Sequence, residues 1–140
     1  MPLTVLTNSI RVAIELSKKE QIKVISTGGT LLSQSLSFVG PLAERSLGMY
    51  HVNKAFISCK GVHIEKGLSD LNELQALLKK QMMDIADKTI LMVDSSKFGI
   101  RAFSQIVSVT KIDCIITDSN VDEQTIKQLE ENNINVVTVN

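Results

Sequence analysis

IKVISTGGTLLSQSLSFVG, residues 22–40, joins an apolar run to a glycine turn rich in hydroxyls. Ile22, Val24 and Ile25 make the run β-like. Its near-continuous apolar character is that of a parallel strand covered on both faces. Gly28 and Gly29 then end it, which puts the following loop at the strand's carboxyl end. Ser26, Thr27, Thr30, Ser33 and Ser35 crowd this segment, and Ser37 lies just beyond. Glycine permits positive φ and close backbone approach, so successive N–H groups can converge on an anion. Neither GxxxxGK[ST] nor GxGxxG is present. Alone, the stretch reads first as a strand-ending turn and second as a phosphate loop.

The pattern repeats along the chain. Further β-like runs fall at 3–7, 54–59, 89–93, 113–117 and 135–139. Helical spacing fills the intervals. Ile10, Ala13 and Ile14 form a stripe within 9–19. Leu71, Leu74, Leu77, Leu78, Met82 and Ile85 do so within 71–86, and Ile126 and Leu129 within 121–132. Asp70 with Glu73, and Asn120 with Glu123, have capping-box spacing. Gly40-Pro41 opens a short helix over 41–48. Alternating strands and helices predict a three-layer α/β domain with a mainly parallel sheet, spanning 1–140 as a single domain. Ligands of such sheets bind at the carboxyl ends of strands.

Bulk properties narrow the function. The 140 residues are 44% apolar with a formal net charge of zero, which gives no electrostatic case for nucleic-acid binding by these residues. No apolar run approaches the ~20 residues of a membrane span. Lys18-Lys19 and Lys79-Lys80 read as solvated helix faces. Cys59 and Cys114 sit in β-like runs and read as reduced core thiols of a cytoplasmic protein. No metal-ligand spacing occurs, and no cofactor motif is present.

The remaining strand-end loops each have two readings. In TNS, 7–9, Asn8 or Ser9 caps a helix or offers its hydroxyl and helix N-terminus to an anion. In DSSKFG, 94–99, Asp94 binds its own backbone in a turn, or accepts from a sugar hydroxyl while Lys97 pairs with an anion. The 60–70 loop carries His63, a candidate base without a recognisable nucleophile and so first a surface histidine. His51 reads as a surface residue.

Together these segments point to one family. VLTNS, ISTGGTLLSQSLSFVGPLAE, NKAFISCKGVHIEKGLSD and MVDSSKFG followed by DCIITD occur in the order of the C-terminal effector domain of DeoR-family bacterial transcription repressors. The chain resembles that domain from Thr4 to its last strand. The resemblance implies a ribose-5-phosphate isomerase-like fold and a phosphorylated sugar or polyol as allosteric effector. It implies a homo-oligomer and no catalysis. Carried over residue by residue, it places Asn8, Ser9, Gly28, Gly29, Thr30, Ser35, Ser37 and Gly40 along the effector site. Gly67, Asp94 and Lys97 complete the set, with Lys97 as the main cation. Lys60 departs from the small or neutral residue usual there, and either contacts phosphate or points to solvent.

Two family parts are expected upstream of Met1. One is a winged helix-turn-helix domain that reads operator DNA. The other is the family's first, central strand with a phosphate-cradling loop. Without that strand, the gap should be closed by direct pairing of 3–7 with 54–59 or by a strand from a partner chain, since strands lie ~4.8 Å apart and buried unpaired backbone is costly. Effector binding by this chain should then be weak. The rival reading is a sugar-phosphate isomerase, whose base would be Glu65 or Asp70.

Overall fold

The computed structural model describes residues 2–140, and the chain divides into two compact units, Met1–Tyr50 and His51–Asn140. In the first, β1 (Leu3–Thr7) and β2 (Ile22–Ser26) pair in parallel, from Leu3 opposite Ile22 to Thr7 opposite Ser26. The crossover is α1 (Ile10–Ser17). A parallel pair requires such a crossover, because a tight turn can only reverse the chain. The loop after β2 is more ordered than a turn. It forms an antiparallel ladder of β3 (Thr30–Leu32) and β4 (Ser37–Val39). Then α2 (Pro41–Leu47) begins with Pro41 in its first turn, after Gly40 at φ +96°. Val39, Ala43 and Leu47 are the buried apolar side chains here. The stripe expected on α1 buries nothing fully: Ile14 is 57% exposed.

The second unit carries the main sheet. Its elements are β5 (Val52–Ile57), β6 (Gly61–His63), β7 (Gly67–Asp70), α3 (Glu73–Asp84), β8 (Ala86–Met92), β9 (Ser104–Gln105), β10 (Cys114–Asp118), α4 (Glu123–Glu131) and β11 (Asn135–Val139). Four strands pair in parallel in the order β5-β8-β10-β11. The β6-β7-β9 strands form a small antiparallel sheet. The predicted runs 54–59, 89–93 and 113–117 thus become strands shifted by one to three residues.

Strand order explains which face is covered. Each crossover steps in the same direction, and right-handed crossovers of one direction all fall on one side of a sheet. Ala55, Ile57, Leu91 and Ile115 bury one face, in a core shared with Ala76 and Met83 of α3 and Leu129 of α4. The opposite face presents Phe56, Met92, Val137 and Val139, exposed by 41–54%. This unit therefore supplies two layers, a sheet and one helical layer, where coverage of both faces was expected.

The 3–7 and 54–59 runs each find a ladder partner within their own unit. β1 pairs with β2 and β5 with β8, so each strand has a ladder partner on one side. The capping boxes also shift. Asn72 caps α3 by accepting from Gln75 N–H at 3.1 Å, and Asp122 caps α4 by accepting from Thr125 N–H at 2.7 Å. Of the apolar positions predicted to line α3, Leu78 is buried, whereas Leu71, Leu74 and Leu77 are exposed. No helix among the described residues is long and apolar enough to cross a membrane.

Candidate functional site

In the first unit, three loops meet at the carboxyl ends of β1 and β2. Ser9 is the N-cap of α1, and its hydroxyl accepts from Val12 N–H at 3.2 Å. Asn8 is tied to β4 twice. Its side-chain amide donates to Phe38 O at 3.0 Å, and its carbonyl accepts from Phe38 N–H at 2.8 Å. Ser9 and Ser37 form an isolated antiparallel bridge, and the Ser35 and Ser37 hydroxyls lie 2.6 Å apart. Leu36 sits at φ +50° and accepts from Ile10 N–H. Asn8, Ser9, Ser35 and Ser37 are therefore one polar cluster.

The glycine turn has its own constraints. Gly29 is at φ +121°, and a Cβ there would lie 2.7 Å from Val39 O and 3.0 Å from the Ala43 side chain. Only glycine lets β3 approach α2 so closely. Gly28, at φ +62°, donates its N–H to Ser26 Oγ at 3.2 Å. Thr30 opens β3 opposite Val39.

In the second unit, DSSKFG follows β8 as a 3-10 turn over Ser95–Lys97. Asp94 caps it: Oδ1 accepts from the Ser96 hydroxyl and from Ser96 N–H at 2.9 Å, while Lys97 Nζ lies 3.4 Å from Oδ2. The Ser96 hydroxyl bond, then its backbone bond, hold Asp94 below the usual carboxylate range, with Lys97 adding to this. Asp118, ending β10, accepts from Ser95 N–H at 2.8 Å and Asn120 N–H at 2.9 Å, and these bonds also lower its pKa. Beside this turn runs a groove of about 590 Å³ lined by His63, Glu65, Ser95, Ser96, Asn120 and Asp122 among others. His63 Nδ1 accepts from Glu65 N–H at 3.2 Å and Lys66 N–H at 3.0 Å. The neutral ring therefore carries its proton on Nε2, which removes the free lone pair a general base needs. His51 is exposed and lies 2.8 Å from Asp87.

Gly67 closes the β6-β7 turn as the first residue of β7, opposite His63 and at φ +86°, where a Cβ would lie 2.2 Å from Val107 O. Its identity is explained by that close approach.

One pair escaped sequence reasoning. Asp70, expected as a helix cap, is fully buried at the end of β7, and Lys79, expected in solvent, is bonded to its Oδ2. Asp70 Oδ1 also accepts from Leu71 N–H at 3.0 Å. Lys79 lies between Ala76 and Met83 on the inward stripe of α3, and its side chain is 21% exposed. That helical spacing was the available signal, masked by the adjacent Lys80. Cys59 is buried, and its thiol donates to Gly61 O at 3.3 Å. Burial pushes that thiol up to about 11; the Lys79 charge opposes the shift and Asp70 adds to it.

Comparison with known proteins places these features in context. The model of the DeoR C-terminal sensor domain matches residues 1–119. The uncharacterized HTH-type transcriptional regulator YulB of Bacillus subtilis (strain 168) is 59% identical over 137 residues, covering 98% of this chain and 53% of that protein. The putative aga operon transcriptional repressor of Escherichia coli O157:H7 is 34% identical over 134 residues, 96% of this chain and 50% of that protein. The L-fucose operon activator of Haemophilus influenzae is 34% identical over 137 residues, 98% of this chain and 55% of that protein. The chain thus spans about half the length of these relatives.

Proposed function

The chain belongs to the DeoR C-terminal sensor domain family, and from that premise we propose that it senses a phosphorylated sugar or polyol for a transcriptional regulator of sugar metabolism. The observation that carries this reading is the knitting of Asn8, Ser9, Ser35 and Ser37 into one hydroxyl-rich cluster beside the Gly28-Gly29 turn. Hydroxyls and backbone N–H groups at strand carboxyl ends suit a polyhydroxylated anion. Thr30, Asp94 and Lys97 extend the set, while Gly67 shapes a turn. The name of one relative, an activator of the L-fucose operon, supports a sugar-linked signal.

The rival isomerase reading loses ground on geometry. Asp70 is sealed against Lys79, His63 lacks a free lone pair, and Glu65 is exposed. In the proposed arrangement this chain is one effector domain of ribose-5-phosphate isomerase-like fold in a cytoplasmic homo-oligomer. A separate DNA-binding segment of the longer protein reads the operator, and a strand from outside this chain fills the sheet edge. Effector binding shifts subunit arrangement, and by linkage the operator and effector must alter each other's affinity by one factor. The test is operator binding by the longer protein in the presence of phosphorylated sugars. A change in operator affinity with one of them is expected. Operator affinity indifferent to every phosphorylated sugar, or turnover of ribose 5-phosphate, would overturn the proposal.

A further inference from the structure

The Asp70–Lys79 pair is unexplained as a source of stability. Burying two charges costs more solvation than their attraction reliably returns, so such a pair is weak evidence for a stabilising role. Its surroundings suggest another use. Gly61 packs so closely on residue 100 that a Cβ would lie 2.4 Å from Ile100 O. Lys60 N–H donates to Ser69 O, and Ala102 N–H donates to Ser69 Oγ. These bonds bring Lys60, Arg101 and the Ser69–Asp70 strand end together on adjacent backbone. Lys60 and Arg101 are exposed, and the Lys79 side chain is 21% exposed. Between Ser69 and Lys79 the carboxylates are Asp70, already bonded, and Glu73, exposed in the first turn of α3. Three cations against two carboxylates leave a net positive site at the end of β7.

The Lys97 turn has the opposite balance. Lys97 faces Asp94, and Asp118 is close enough to Asp94 for their charges to repel. A dianion is repelled there and attracted at Lys79. One of the three N–H donors of Lys79 goes to Asp70, and two remain for a phosphate oxygen.

We infer that the effector's phosphate seats on Lys79, bordered by Lys60 and Arg101, with buried Asp70 as the positioning residue that aims the ammonium. This rests on the sugar-phosphate sensor reading and reassigns the main cation from Lys97. Asp94 and Lys97 are then left to bond sugar hydroxyls.

The test is an NMR titration of the chain with ribose 5-phosphate, glucose 6-phosphate and inorganic phosphate, with ribose and glucose as controls. Amides of 69–71 and 100–102 should move with a phosphorylated probe and not with the free sugars. Asp70→Asn/Lys79→Met removes both charges and leaves only a neutral amide short of an acceptor, so it should keep the native spectrum. It should also lose about tenfold or more in affinity, while Lys97→Met keeps the 69–71 response. Shifts confined to 94–97 or to the first unit, with the double variant binding normally, would overturn this inference and leave the sensor reading standing. No response to any phosphorylated probe would overturn both.

Discussion

Removing Lys79 alone should damage the fold more than removing it together with the Asp70 charge. Asp70 has no solvent exposure, and its oxygens are held by Leu71 N–H and the Lys79 ammonium. Lys79→Met keeps most of the aliphatic stem, so little cavity forms and the cost is mainly electrostatic. An uncompensated buried carboxylate costs about 3–5 kcal/mol. Set against a typical total of about 5–15 kcal/mol, that is a large fraction. With a urea slope of about 1–3 kcal/mol per molar, the unfolding midpoint should fall by about 1 M or more. Asp70→Asn/Lys79→Met should lose less than the single variant, because a neutral amide left without an acceptor costs only about 1–3 kcal/mol. Urea titrations of the three proteins decide the matter. A Lys79→Met midpoint indistinguishable from the parent, or a double variant worse than the single, would mean that Lys79 does not compensate the buried Asp70 charge.

Three further perturbations follow from local geometry. Gly67→Ala should cost at least about 2 kcal/mol in denaturant unfolding, from positive φ plus collision with Val107 O; a neutral result would contradict the turn's geometry. Ser9→Ala should cost about 1 kcal/mol and Ser9→Gly only a few tenths, as for an N-cap; equal losses would exclude capping. Asp118 is lowered by the Ser95 and Asn120 N–H bonds, so its stabilisation is present above the unfolded pKa and is lost as pH falls through the lower folded one. Asp118→Asn should therefore flatten the acid limb of the stability–pH profile, and an unchanged limb would argue against those bonds.

Much of the architecture was legible because its signals are local. The runs 3–7, 22–26 and 135–139 coincide with β1, β2 and β11, since short apolar runs ended by turn residues have few other solutions. Helix boundaries were less legible: Asp70 and Asn72 have equal capping chemistry, and tertiary burial chose between them. The short strands β3, β4, β6, β7 and β9 lie in segments read as loops, because two to four residues show no resolvable period. Coverage of the main sheet depends on strand order, a long-range property that apolar runs do not encode. Within the candidate site, Ser9, Asp94 and Lys97 were singled out from strand-end position and Ser37 through the family resemblance. Lys79 was not, because a lysine on an apolar stripe is recognisable only once its buried carboxylate partner is placed.

A sugar-phosphate sensor must distinguish a phosphorylated sugar from the same sugar without its phosphate. Thermal unfolding measured against matched pairs of phosphorylated and free pentoses, hexoses and polyols decides whether this chain does so. At 100 times its Kd a specific ligand stabilises by ~2.7 kcal/mol. A saturable rise in Tm is expected with at least one phosphorylated member and none with its free counterpart. Equal rises for both members of a pair, or no rise with any phosphorylated compound, would contradict it.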